Sequence, residues 1–119
     1  MKTMPDLSGF NGTEQYHKLC IFGGLKFTDG WKYMAEDLGA FWLADIVASV
    51  QHNPKIKENQ SFIVWSIVVK ESEAVVKAMT DTGSEGVTLY TQKINYTDFP
   101  EGTFQFYQVG DVVLLKGEY

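Results

Sequence analysis

Thr28-Asp29-Gly30-Trp31-Lys32-Tyr33-Met34-Ala35-Glu36-Asp37-Leu38-Gly39-Ala40-Phe41-Trp42-Leu43-Ala44-Asp45-Ile46-Val47-Ala48-Ser49 is the stretch with sustained helical spacing, and it holds two of the three tryptophans. Trp31, Met34, Ala35 and Leu38 recur at i, i+3, i+4 and i+7, an apolar stripe, while Lys32, Glu36 and Asp37 face away. Asp29 suits an N-cap, with Thr28 an alternative, because a short side-chain oxygen accepts from the free amides of a first turn. Gly39 fits the C-terminal stop. Ala40 to Gln51 resumes helix and is apolar on nearly every side, so the fold or a partner must cover it. Asn53-Pro54 ends it, since a residue before proline avoids the helical region, and Lys55 to Gln60 reads as polar connection.

Downstream the period changes to two. Phe62 to Val69 is β-branched and apolar on both faces, as in a central strand covered on both sides. Glu71-Ser72-Glu73 turns into Ala74 to Met79, Asp81 to Gly86 turns again, and Val87 to Tyr96 alternates with one wetter face. After the turn Asp98 to Gly102, Phe104 to Tyr107 and Val112 to Leu115 flank Gly110-Asp111 as a hairpin. Upstream, residues 1–10 read as a loosely held arm, Asn11-Gly12-Thr13-Glu14 as a turn, and His17 to Phe22 and Leu25 to Phe27 as an early hairpin around Gly23-Gly24. The expectation is one α+β domain over 1–119, with N-terminal helices on one face of an antiparallel meander of about five strands.

With 45 % hydrophobic and 14 % aromatic residues the chain is a globule and not a disordered segment. Its 10 basic and 15 acidic residues give a formal charge of −5, which disfavours direct nucleic-acid binding. The lone Cys20 cannot form an internal disulfide, and the first residues lack the apolar run of a signal peptide, so a cytoplasmic protein without a membrane span is expected.

Chemical constellations are thin. Asp45, Ser49 and His52 make a polar stripe of catalytic residue types, but side chains projecting side by side from one helix do not form a nucleophile, a base and an orienting group. His17-x-x-Cys20 with a distant His52 falls short of the four Cys and His ligands of a structural zinc site. Gly23-Gly24 and the Gly83 to Gly86 turn lack the Gly-Lys-Ser/Thr spacing of a phosphate loop. No catalytic residue, metal or cofactor is therefore expected. Tyr16, Tyr33, Tyr90, Tyr96, Tyr107 and Tyr119, with Phe99 and Phe104, exceed what so small a core hides, so some rings should be exposed and favour a protein partner or a homodimer.

Thr28-Asp29-Gly30 with Lys32-Tyr33, Ala35-Glu36, Gly39-Ala40-Phe41-Trp42-Leu43 and Asp45 resembles a family of short uncharacterised proteins of bacteria, their phages and plasmids. Phe62, Val64-Trp65, Tyr90, Gln92-Lys93-Ile94, Tyr96-Thr97-Asp98-Phe99-Pro100 and Glu118-Tyr119 continue the similarity, so it covers nearly the whole chain. Val50 departs from the pattern, since similar proteins often place an aromatic residue after the serine. The resemblance implies a mobile-element setting, where small acidic proteins often bind a host protein. The first expectation is a non-enzymatic module that modulates a host protein, with inhibition of a defence system such as CRISPR-Cas as one form of that role. The alternative is a small-ligand binder or minor enzyme with a cavity between the helix pair and the sheet. The candidate binding residues are Asp45, Trp42, Tyr33, Tyr90, Tyr96, Asp98 and Phe99.

Overall fold

The computed structural model describes residues 3–9, 16–17, 24–80 and 86–119. Thr28, not Asp29, is the N-cap of the first helix, α1 (Asp29–Leu38), and its hydroxyl accepts from the Trp31 amide at 3.4 Å. Gly39 ends α1 in the left-handed region at φ 62°, where a Cβ would be strained. The stripe Trp31, Met34, Ala35 and Leu38 is buried as its spacing requires. Helix α2 (Phe41–Ser49) follows and buries Leu43, Ala44, Val47 and Ala48.

The expected polar connection after Asn53-Pro54 is instead a third helix, α3 (Pro54–Glu58). Asn53 caps it by accepting from the Lys55 amide at 2.9 Å, and Ile56 is buried beneath it. A proline that stops one helix is equally suited to open the next, because its fixed φ and missing N–H cost nothing in a first turn.

Among the described residues seven strands form one sheet: β1 (Tyr16–His17), β2 (Lys26–Thr28), β3 (Ile63–Lys70), β4 (Glu73–Met79), β5 (Thr88–Ile94), β6 (Gly102–Val109) and β7 (Val112–Leu115). Their order is β1-β2-β7-β6-β3-β4-β5. The architecture is α+β, yet the meander of about five antiparallel strands is corrected in two ways. β2 pairs with β7 in parallel, Phe27 beside Val113, which adds the N-terminal segment to the C-terminal hairpin. β6 lies against β3 and not against β5. The cause is β3 itself, buried from Ile63 to Ile67: a strand shielded from water on both faces must pair both backbone edges. Trp65 accordingly sits between Ala78 of β4 and Phe106 of β6.

Crossing from β5 to β6 takes the chain past the β3–β4 turn. Segment 95–101 does this, held by the Thr97 amide donating to the Ser72 carbonyl at 2.7 Å and by Phe99, which is buried. A line of rings then joins sheet and helices: Phe27–Trp31 at 4.7 Å, Trp31–Phe106 at 5.5 Å, Phe106–Phe104 at 6.1 Å, Phe104–Phe99 at 6.0 Å and Phe99–Trp42 at 6.3 Å. Such pairs contribute about 0.5–1.5 kcal/mol each beyond the area they bury.

β1 and β2 pair antiparallel, Tyr16 beside Thr28 and His17 beside Phe27; the rest of the expected strand His17 to Phe22 lies outside the described residues. Cys20, Gly23, Phe10, the turn 11–14 and the turn residues 81–85 lie outside the described residues. Of the N-terminal arm, Met4 and Leu7 pack half-buried against the core.

Candidate functional site

Between α2, the end of β5 and segment 95–101 lies a groove of about 470 Å³, lined by Trp42, Ile46, Gln92, Ile94, Tyr96, Thr97 and Asp98. Each wall follows from local geometry. Trp42 and Ile46 are one turn apart on α2 and half-buried, so they form one ridge. Gln92 and Ile94 alternate onto the helix side of β5, in register with Val76 and Ala74. Segment 95–101 is fixed by the buried Thr97, which spends its amide on Ser72 and accepts the Phe99 amide on its hydroxyl at 3.1 Å. Phe99 then packs edge-on to Trp42, and Tyr96 stands out at 76 % exposure. Behind the segment a second hollow of about 310 Å³ is lined by Val69, Ser72, Glu101 and the same Tyr96, Asp98 and Phe99.

Of the seven candidate binding residues, Trp42, Tyr96 and Asp98 line the groove and Phe99 supports it from beneath. Tyr90 lies on the helix side of β5, half-buried, and donates its hydroxyl to Gln92 Oε1 at 2.7 Å, so it stiffens one wall. Asp45 is exposed on α2 and does not line the groove. Tyr33 lies elsewhere, on α1, in a shallow hollow with His17, Asp29, Lys32 and Glu36. Ile46 and Ile94 are the apolar walls that sequence reasoning missed. Their signal was weak, since each also fits an ordinary core stripe.

Asp45, Ser49 and His52 are all exposed, and the Ser49 hydroxyl donates to the Ile46 carbonyl of its own helix at 2.8 Å. That bond turns the hydroxyl back onto its own helix and away from a base. His17 Nε2 meets Asp29 Oδ1 at 2.7 Å, a pair that ties β1 to the start of α1. No cluster of three or more His, Cys, Asp or Glu residues fit to hold a metal occurs among the described residues. Away from the groove, hydrogen bonds from the Ser8 hydroxyl at 2.6 Å and its amide at 3.0 Å hold the Asp6 carboxyl below the ordinary aspartate range. No helix among the described residues is long and apolar enough to cross a membrane.

Fold and groove define a small α+β protein: among the described residues, one seven-stranded sheet, three α-helices, and an aromatic groove at the β5 side. The chain belongs to the family of unknown function DUF6876, whose model matches residues 1–119. No curated protein and no solved structure matches it.

Proposed function

We propose that the protein is a non-enzymatic binding module that docks on another protein through the groove at Trp42, Tyr96 and Asp98. The observation that carries this reading is Tyr96, a large ring at 76 % exposure poised beside the half-buried Trp42 and Ile46. Exposed tyrosine over an apolar floor is the composition of interface hot spots, because a rigid ring loses little entropy and gains much area when covered. The fixed Thr97 and the ring contact of Phe99 mean that the surface is formed before a partner arrives, which lowers the cost of binding. In the mobile-element setting that the motifs suggest, the partner is a host protein, with a component of a defence system such as CRISPR-Cas as one candidate.

The test uses immobilised wild-type chain and a Tyr96→Ser variant in parallel captures from bacterial lysate. A stoichiometric protein retained by the first and lost by the second supports the reading, since a substitution at so exposed a ring leaves the fold intact. A second reading, a small-ligand site, rests on the groove volume of about 470 Å³, which is of ligand size. A compound that raises the melting temperature of wild type but not of Trp42→Ala, with no protein captured, selects that reading.

A further inference from the structure

β5 ends the sheet on its side: one backbone edge pairs with β4, and no strand among the described residues pairs with the other. Which groups the open edge carries follows from the turns. Glu71 and Ser72, both at positive φ, make a two-residue turn, so Lys70 and Glu73 around it exchange hydrogen bonds and the residues of β4 then alternate between its two neighbours. Ala74, Val76 and Ala78 therefore direct their backbone groups to Ile94, Gln92 and Tyr90, while Thr91 and Lys93 direct theirs outward. The same alternation, carried the other way through β3 and β6, arrives in phase at Val109 and Val112 around the Gly110-Asp111 turn, so a second hairpin fixes it independently. Two N–H and two C=O groups thus stand along the edge, the two residues about 7 Å apart.

The groove opens at this same edge. Gln92 and Ile94 turn their side chains to the helix side, where Trp42 and Ile46 of α2 complete the groove, and among the described residues β5 is the one strand that lines it. Thr91 and Lys93 send their side chains to the other face, where both are exposed. Two features that ordinarily guard an open strand lie out of the way: the bulge at Leu89 precedes this stretch, and the Lys93 side chain leaves by the far face. Segment 95–101 turns inward to Ser72 and does not run along the outer edge.

Resting on the docking role given to the groove above, we infer that the partner enters as an extended segment that adds a strand beside β5. It exchanges backbone hydrogen bonds with Thr91 and Lys93 and sends alternate apolar side chains under Trp42 and Ile46. The open backbone says what must cover it. A partner that buries the Trp42 ridge also takes water away from Thr91 and Lys93, and backbone groups left unpaired would oppose its binding. A helix spends its N–H and C=O groups internally and cannot answer them. An extended chain can, and its side chains alternate with the same period of two as those of β5. Its sequence is therefore apolar at every second position, facing α2, and polar where it passes Thr91 and Lys93.

The test selects short linear peptides from a random displayed library on the immobilised full chain and measures the enriched ones by fluorescence anisotropy. They should alternate apolar and polar residues and bind Thr91→Pro and Lys93→Pro about tenfold more weakly, or less, than wild type. Each proline removes one outward N–H and none that β4 receives, so both variants should melt near the wild-type temperature. Amide exchange on the wild-type chain gives a readout free of substitution, because the Thr91 and Lys93 amides should slow when peptide is added. Peptides that bind both proline variants as well as wild type, that repeat apolar residues at intervals of three and four, or that leave those two amides exchanging as before overturn the inference. So do a failure to enrich any peptide and a dimer of the chain alone that Thr91→Pro dissolves. Binding lost in Tyr96→Ser but kept in Thr91→Pro overturns the added strand and leaves the docking role of the groove standing. The reverse pattern upholds the strand and removes Tyr96 from the site.

Discussion

Gln51 and Gln108 hold each other across the helix–sheet boundary by two reciprocal amide bonds: Gln108 Nε2 donates to Gln51 Oε1 at 2.8 Å, and Gln51 Nε2 donates to Gln108 Oε1 at 3.1 Å. Gln108 is fully buried and uses its whole capacity, since its amide also donates to the Gly110 carbonyl and its oxygen accepts from Trp65 Nε1. Gln51 likewise donates to the Val47 carbonyl and accepts from Gln60. A buried amide pair is favourable only when complete, and this one pins the end of α2 to β3 and β6.

Gln108→Leu should therefore cost about 2–4 kcal/mol in urea denaturation, more than a net hydrogen bond, because it strands Trp65 Nε1, the Gln51 amide and the Gly110 carbonyl. The double variant Gln51→Leu/Gln108→Leu should cost less than the sum of the single ones by about 1 kcal/mol or more. Strict additivity would show that the pair does not act as a unit.

Glu118 should stabilise α1 from a distance. Its carboxylate accepts from the Thr28 hydroxyl at 2.6 Å, the Gly30 amide at 3.2 Å and the Leu115 amide at 3.1 Å, which sets a negative charge at a helix N-terminus. Glu118→Ala is expected to lose about 1–3 kcal/mol, with early hydrogen exchange in residues 29–32. Thr28→Ala made in that background should cost less than in wild type, because the Thr28–Glu118 bond is already gone and only the cap on the Trp31 amide, worth about 1 kcal/mol, is left to lose.

The β3–β4 turn is open to improvement. Glu71 and Ser72 both sit at positive φ, 54° and 64°, a two-residue hairpin conformation that favours Asn-Gly. Glu71→Asn/Ser72→Gly should raise stability by about 1 kcal/mol or more, read as a higher denaturation midpoint with unchanged slope. The Ser72 carbonyl would still receive the Thr97 amide, so the groove should keep its shape.

Phe99 and Tyr96 should separate stability from recognition. Phe99→Ala removes a buried ring between Trp42 and Phe104 and is expected to cost about 3–5 kcal/mol. Tyr96→Ser should change stability by less than about 0.5 kcal/mol while abolishing partner capture. Thermal melts and captures on the same preparations check both.

Local signals were legible and long-range pairings were not. The extent of α1 follows from Thr28, the stripe from Trp31 to Leu38, and Gly39, all within one window. The hairpin at Gly110-Asp111 was equally plain, with Gly110 at φ 62° between Val109 and Val112. By contrast, the parallel pairing of Phe27 with Val113 joins strands of three and four residues, too short to carry a period. The β5–β6 crossover depends on Phe99 and Thr97 finding Trp42 and Ser72, partners that no local window contains. The groove was half visible: its rings were singled out, while its apolar walls Ile46 and Ile94 were not, because neither is marked off in sequence from residues that face the core.

Thr28 and Glu118 are 90 residues apart, and that separation has a kinetic meaning. At roughly 5–20 residues per second of translation, the first helix leaves the ribosome on the order of 5–18 s before its carboxylate cap is made. During that interval α1 also lacks β7 to lie against, so the nascent segment 28–49 presents bare tryptophan and leucine to whatever chaperone stands at the exit port.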